Sequence, residues 1–356
     1  MNQRCKTFMQ QFDALGIDAA LVSSYENVRY LSGFTNTETL LVLDAEEQWL
    51  LTDSRYSEQA EKQCPDFTVI KTGHGVSLAT ELKKRNEEGR CLKIGFEADR
   101  QTVSWYHEIC AQLPQAEFLD LGQTLNRQRE IKDAEEIENI RQAQRVTDDA
   151  FAYILSFIRP GMEELEIKAE LEYFMAKQGC ENSFGTIVAS GPNSSMPHAQ
   201  PSHRKVQAGD FITMDFGCKY NGYCSDMTRT IALGTVSDDM KKIYEIVLEA
   251  QKRTLDKIHP GMICNNVDYI ARGYIDEMGY GDCFEHGLGH SFGLMIHEDP
   301  RFSPSCEDAL RPGMCLSVEP GIYLPGKFGV RIEDTICITE DGFENFTASP
   351  KELIIL

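Results

Sequence analysis

The sequence predicts a two-part chain of α/β plus α+β class. A small amino-terminal α/β domain spans residues 1–122, a polar linker covers 123–130, and a larger domain at 131–356 is built from two similar halves. Three observations predict this. A chain of 356 residues is long enough for two ordinary domains, each with a buried core. Short apolar runs alternate with amphipathic stretches from Ala19 to Leu121. Beyond Ile158 the sequence repeats itself at an offset of about 100 residues.

In the first domain Ala19–Val22, Thr39–Leu43, Trp49–Thr52, Phe67–Ile70 and Leu92–Phe96 read as strands. Arg55–Cys64 and Thr102–Leu113 read as helices between them, and Asp44–Gln48 as a hairpin turn. The second domain opens with a long helix, because Ile137, Ile140, Ala143, Phe151, Ile154, Leu155 and Ile158 recur at helical spacing until Pro160-Gly161 stops it. The repeat follows. Ile158-Arg-Pro-Gly-Met162 returns as Ile258-His-Pro-Gly-Met262, and each copy continues into a helix ending at a glycine, Gly179 or Gly279. Met196-Pro-His198 is matched by Met295-Ile-His297, Asp215 by Glu319, and Asp226 by Glu333.

Composition excludes several functions. Lys plus Arg number 35 against 56 Asp plus Glu, a net charge of −21 that would repel a nucleic-acid backbone. No apolar run approaches the roughly 18 residues of a membrane span. Twelve cysteines scatter from Cys5 to Cys337 without a C-x-x-C pair, so no zinc knuckle or thioredoxin motif is present. Scattered thiols, and a polar stretch from Met1 to Phe12 that lacks the apolar core of a secretory signal, lead us to expect a cytoplasmic location.

Two halves packed about a local two-fold axis would bring Asp215, Asp226, Glu319 and Glu333 together. Four carboxylates in one place repel, and multivalent cations are the least costly remedy. Most acids are simply exposed. Asp215, however, ends the run Phe211–Met214 and Glu319 follows Cys315–Val318, both strand-like. His290 lies in the glycine-rich stretch His286–Gly293, and by the offset of His297 from His198 its counterpart is Gly191. One half thus offers a nitrogen donor that the other lacks, which predicts two inequivalent metal positions.

The ordered set Asp215, Asp226, His290, Glu319 and Glu333, within Met-Asp-Phe-Gly, Ser-Asp-Met-Thr-Arg-Thr, Gly-Leu-Gly-His, Val-Glu-Pro-Gly and Arg-Ile-Glu-Asp, resembles the pita-bread metallopeptidases. Within them it is similar to the Xaa-Pro aminopeptidase and prolidase branch, whose creatinase-like amino-terminal domain is resembled by Asn27–Phe34 and the hairpin after it. The resemblance implies that Asp215 chelates one ion, Asp226 and Glu333 bridge both, and His290 with Glu319 completes the other. It implies that His198 and His297 hold the substrate and the tetrahedral intermediate, that His286 lines the proline pocket, and that Arg331 and Tyr323 support the ligands.

The implied reaction is hydrolysis of the bond between an amino-terminal residue and a following proline in small peptides, by an aminopeptidase or a dipeptidase. Two divalent ions would acidify water and polarise the scissile carbonyl, Glu319 would shuttle the proton, and His297 would stabilise the oxyanion. Carboxylates with one imidazole suit manganese, with cobalt or zinc as alternatives. A homodimer is expected from the resemblance alone. Competing readings are a methionine aminopeptidase, opposed by the extra amino-terminal domain; a metal-free amidine hydrolase, opposed by the full set of acids and His290; and a non-catalytic peptide- or protein-binding module. Among single residues, His290 has the alternative of an ordinary loop residue, His198 that of a surface loop residue, Arg331 that of a partner for Asp334, and Tyr323 that of a core residue.

Overall fold

A computed structural model describes residues 2–356 of the chain, which divides into two compact units between Arg129 and Glu130. The first unit carries α1 (Gln3–Met9), α2 (Phe12–Leu15), β1 (Ala19–Val22), α3 (Tyr25–Ser32), β2 (Thr39–Asp44), β3 (Gln48–Thr52), α4 (Ser57–Gln63), β4 (Thr68–Lys71), α5 (Leu78–Glu87), β5 (Lys93–Phe96), α6 (Val103–Gln112), β6 (Glu117–Asp120) and α7 (Thr124–Glu130). Its six strands form one sheet in the order β4-β3-β2-β1-β5-β6. The β2–β3 hairpin turns where the Asp44 side chain accepts from the backbone N–H groups of Glu46 and Glu47, both at 2.8 Å.

All five expected strands are present, and α1, α2, α3, α5, α7 and β6 appear besides, which hydrophobic periodicity did not indicate. Helix α5 is mostly polar and starts at a Ser77 cap; α3 is short, capped by Ser24 and ended by Gly33; β6 is a half-exposed edge strand. The expected linker at 123–130 is a correction. It is the helix α7, whose Leu125 and Arg129 are buried. With so few apolar side chains the segment has no readable period.

The second unit carries α8 (Ala134–Phe157), α9 (Glu164–Lys177), β7 (Glu181–Asn182), β8 (Ile187–Ser190), β9 (Phe211–Phe216), β10 (Cys218–Tyr220), β11 (Tyr223–Cys224), β12 (Met227–Ala232), α10 (Asp238–Leu255), α11 (Cys264–Glu277), β13 (Gly289–Ser291), β14 (Glu298–Phe302), β15 (Cys315–Val318), β16 (Gly321–Leu324), β17 (Phe328–Arg331), β18 (Asp334–Ile338) and β19 (Phe343–Asn345). The repeat is visible in the backbone. Gly161 N–H donates to Val206 and Val206 N–H to Met162, while Gly261 N–H donates to Leu310 and Leu310 N–H to Met262, all at 2.8–2.9 Å. Gly161 and Gly261 hold φ of 90° and 85°, a region in which only glycine is comfortable.

Each half lays a helix pair on a sheet, β12-β9-β8 in the first and β14-β13-β15-β18-β19 in the second. Strand alternation then sorts the side chains. Ile212, Met214 and Phe216 of β9, with Met227 and Ile231 of β12, join the core beneath α8 and α9. Leu316 and Val318 of β15, with Ile336 and Ile338 of β18, join the core beneath α10 and α11. Asp215, Asp226, Glu319 and Glu333 have the opposite parity and project from the other faces. No helix among the described residues is long and apolar enough to cross a membrane.

The ladders correct two correspondences drawn from the sequence. Ser190 pairs with Ile212 and Ser291 with Leu316, so the counterpart of His290 is Ala189 and not Gly191. Thr228 pairs with Asp215, and Val318 with Asp334, so Glu333 takes the place of Thr228 while Asp226 comes two residues earlier. A shift of two residues leaves a strand side chain on the same face, which is why the altered register still delivers both acids to one place.

Candidate metal centre

Carboxylate oxygens of Asp215, Asp226 and Glu333 lie within 4.8 Å of one another. His290 Nε2 is 3.5 Å from Asp226 Oδ2 and 3.5 Å from Glu319 Oε1, which brings the fourth acid into the group. Asp226 and Glu333 are only 4 % and 1 % exposed. Burial raises the pKa of Asp226 most, and repulsion from Glu333, Asp215 and Glu319 adds to it. Glu333 is raised by burial and then by Glu319 and Asp215. Burial pushes Glu319 up to about 7 against the opposing pull of Arg331.

The donor set fits divalent ions. Asp215 Oδ1 and Glu333 Oε1 are buried acceptors without a hydrogen-bond donor. The Nδ1 of His290 is 3.1 Å from the Ser291 carbonyl and so carries the proton, leaving the Nε2 lone pair aimed at two carboxylates. Burial holds the ring neutral, its pKa pushed down to about 3. Lone pairs converging on one point are stable only around positive charge, and oxygen donors with one imidazole nitrogen are the ligands of hard to borderline divalent metals.

Supporting contacts surround the acids. Arg331 Nη2 donates to Asp215 Oδ2 at 2.6 Å, and its Nη1 donates to the Tyr323 hydroxyl at 2.8 Å. That hydroxyl is 3.0 Å from His286 Nε2, while His286 Nδ1 donates to the Gly287 carbonyl at 2.8 Å. Arg331 is therefore not the partner of Asp334, which pairs with Arg229 at 2.9 Å and Lys351 at 2.7 Å. Sequence reasoning missed two hydroxyls. Thr228 Oγ1 donates to Glu333 Oε2 at 2.7 Å and accepts from Arg331 Nε at 3.0 Å. Ser317 Oγ donates to Glu319 Oε1 at 3.1 Å and accepts from His290 N–H at 3.0 Å. Their one legible signal was position, two residues from Asp226 and from Glu319 and hence on the same strand face.

The acids floor a cleft of ≈ 530 Å³ whose walls include His198, His286, His290, His297 and Arg331. Tyr323 stands behind His286, outside the lining. His198 and His297 are exposed at the mouth. The His297 ring lies 4.4 Å from that of His290, and partial burial with the nearby Arg301 charge lowers its pKa. Arg301 also lines the cleft and was not singled out in the sequence.

The family model of metallopeptidase family M24 matches residues 138–340, the part of the chain that builds this cleft. The chain belongs to metallopeptidase family M24. The model of the Creatinase/Prolidase N-terminal domain matches residues 4–131 of this M24 enzyme. An uncharacterized peptidase, YqhT of Bacillus subtilis (strain 168), is 43% identical over 346 residues, covering 97% of this chain and 98% of its own. The Xaa-Pro dipeptidase from Bacillus anthracis superposes with a TM-score of 0.96 at 44% identity, covering 99% of each chain. The X-Pro aminopeptidase from Thermotoga maritima MSB8 superposes with a TM-score of 0.91 at 38% identity, covering 98% of this chain and 100% of that one. This M24 chain is a metallopeptidase of the Xaa-Pro peptidase branch, a family that works with divalent metal ions.

Proposed function

We propose that this M24 enzyme is a dinuclear peptidase that cleaves the bond between an amino-terminal residue and a following proline. The observation that carries this reading is the convergence of four carboxylates and a neutral imidazole on one point, with two buried oxygens lacking any donor. One guanidinium, that of Arg331, offsets one of the four negative charges. A single divalent ion would leave one charge uncompensated; two tip the balance to positive, as an electron-rich carbonyl requires. Asp215 would hold one ion, Asp226 and Glu333 both, and His290 with Glu319 the other. Bound there, the ions would supply acidified water and a polarised scissile carbonyl.

The remaining work belongs to side chains. Glu319, oriented by the Ser317 hydroxyl, would accept a proton at its carboxylate and return it to the leaving nitrogen. His297 and His198, at the mouth, would hold the substrate carbonyl and the negative charge that develops on its oxygen. His286, fixed by Tyr323 and Gly287, would face the proline ring, whose fixed φ and missing N–H make fit the natural means of selection. Oxygen-rich ligation favours manganese, with cobalt or zinc as substitutes. A cytoplasmic homodimer completes the reading; twelve free thiols among the described residues agree with a reducing compartment.

Metal content and turnover test this together. Chelation should abolish hydrolysis of a Xaa-Pro dipeptide and added manganese restore it, while Asp226→Ala and Glu333→Ala should each lose bound metal and at least about a hundredfold in kcat. Activity indifferent to chelation overturns the reading. Solved relatives bear both names, dipeptidase and aminopeptidase. Comparing a Xaa-Pro dipeptide with a Xaa-Pro tripeptide separates them, and equal rates exclude a strict dipeptidase.

A further inference from the structure

The duplicated backbone carries different side chains at one pair of positions. At the start of α9, Glu164 N–H donates to the Arg204 carbonyl at 3.1 Å and Leu165 N–H to Ser202 at 3.3 Å. At the start of α11, Cys264 N–H donates to the Asp308 carbonyl at 2.9 Å and Asn265 N–H to Cys306 at 3.0 Å. Glu164 and Ser202 therefore occupy the places of Cys264 and Cys306. In the second half the pair is two thiols, and the Cys306 thiol donates to Asp308 Oδ2 at 3.6 Å. In the first it is a fully buried carboxylate with a ring of donors.

Those donors are the Ser190 N–H and hydroxyl, both at 2.7 Å, the Asn193 amide at 3.1 Å, and the Ser202 N–H and hydroxyl at 3.0 and 2.7 Å. All are uncharged and all come from residues 190–202, the segment that carries His198 to the cleft mouth. A carboxylate buried without a cationic donor is expensive, and the other half shows that the same frame closes with thiols. What differs is the segment to be held. Its far side is pinned to the site itself, where Arg331 Nη1 donates to the Pro197 carbonyl at 3.3 Å.

We propose that Glu164 is a positioning residue for His198: it fixes the path of residues 190–202 so that the imidazole stands where substrate is held. The inference rests on the role given to His198 above. Its test is a double-mutant cycle on the full-length, manganese-loaded enzyme, with kcat and KM for Ala-Pro, bound metal and thermal midpoint measured in Glu164→Gln, His198→Ala and the double variant. Glu164→Gln should lower kcat/KM on the order of tenfold with metal content unchanged, and the double variant should be no slower than His198→Ala alone. Independent, multiplying losses overturn the proposal, as does an unaltered kcat/KM in Glu164→Gln. If His198→Ala itself is fully active, the role of His198 falls and this inference with it, a result distinct from multiplying losses. Should Glu164→Gln fail to fold, Ser202→Ala removes one donor and enters the same cycle. A loss of about threefold that vanishes beside His198→Ala supports the proposal, and a loss that persists there overturns it.

Discussion

At the cleft mouth, removal of His297 tests whether the chemistry can be separated from metal binding. Its ring stands beside His290 yet belongs to no carboxylate pair, so His297→Ala should lower kcat by about a hundredfold or more while bound metal stays at the wild-type level. Metal loss would show that it is a ligand and not an outer residue. The acids and histidines were legible as a set, through the repeat and the ordered strings around them, and not one by one. Thr228 and Ser317 were not, since a hydroxyl in a strand is ordinary until the carboxylate it orients is found across the sheet. In the sequence Arg331 could either support the ligands or neutralise Asp334; only packing assigned it to Asp215 and left Asp334 to Arg229 and Lys351.

Among the elements, β13 is held by a close backbone approach. A Cβ on Gly289 would sit 2.0 Å from the Ser317 carbonyl oxygen, so the strand that carries His290 approaches β15 as only glycine allows. Gly289→Ala should destabilise the fold by about 2 kcal/mol or more and weaken metal binding, because relief of the clash moves His290 away from Glu319. Unchanged thermal midpoints and metal affinity would contradict this. Elements with strong periodicity, such as α8 and the strands β1 to β3, were readable from apolar spacing. Helices α5 and α7 were not, being held by caps and a few buried contacts. The two slips of two residues, at His290 and at Asp226, have a common cause: sequence similarity cannot distinguish registers that keep the same face of a strand toward the same neighbour.

For the whole molecule, the clustered acids set how stability depends on pH when metal is absent. Asp226, Glu319 and Glu333 have folded pKa values above their unfolded ones, Glu319 at about 7. The metal-free fold binds more protons than the unfolded chain, so this stability is complete below the ordinary carboxylate range and is lost as pH rises through the folded values, for Glu319 through about 7. His286 and His290, pushed down to about 4 and 3, act in the opposite sense only below the ordinary histidine range. Chelated protein should therefore be less stable at pH 8 than at pH 6.5, with a slope of at most about 1.4 kcal/mol per pH unit for each proton the fold still holds, and manganese should remove that slope. The same slope with and without metal would place the ions elsewhere. Apolar periodicity, the repeat and the short strings around each acid, with the resemblance they carry, were enough to indicate the fold class, the duplication and the candidate acids, because each can be read along the chain itself. Which acid faces which base, the register that relates the halves, and the buried anchor under the His198 segment depend on contacts between residues far apart in the chain, and those exist only once the sheets are packed.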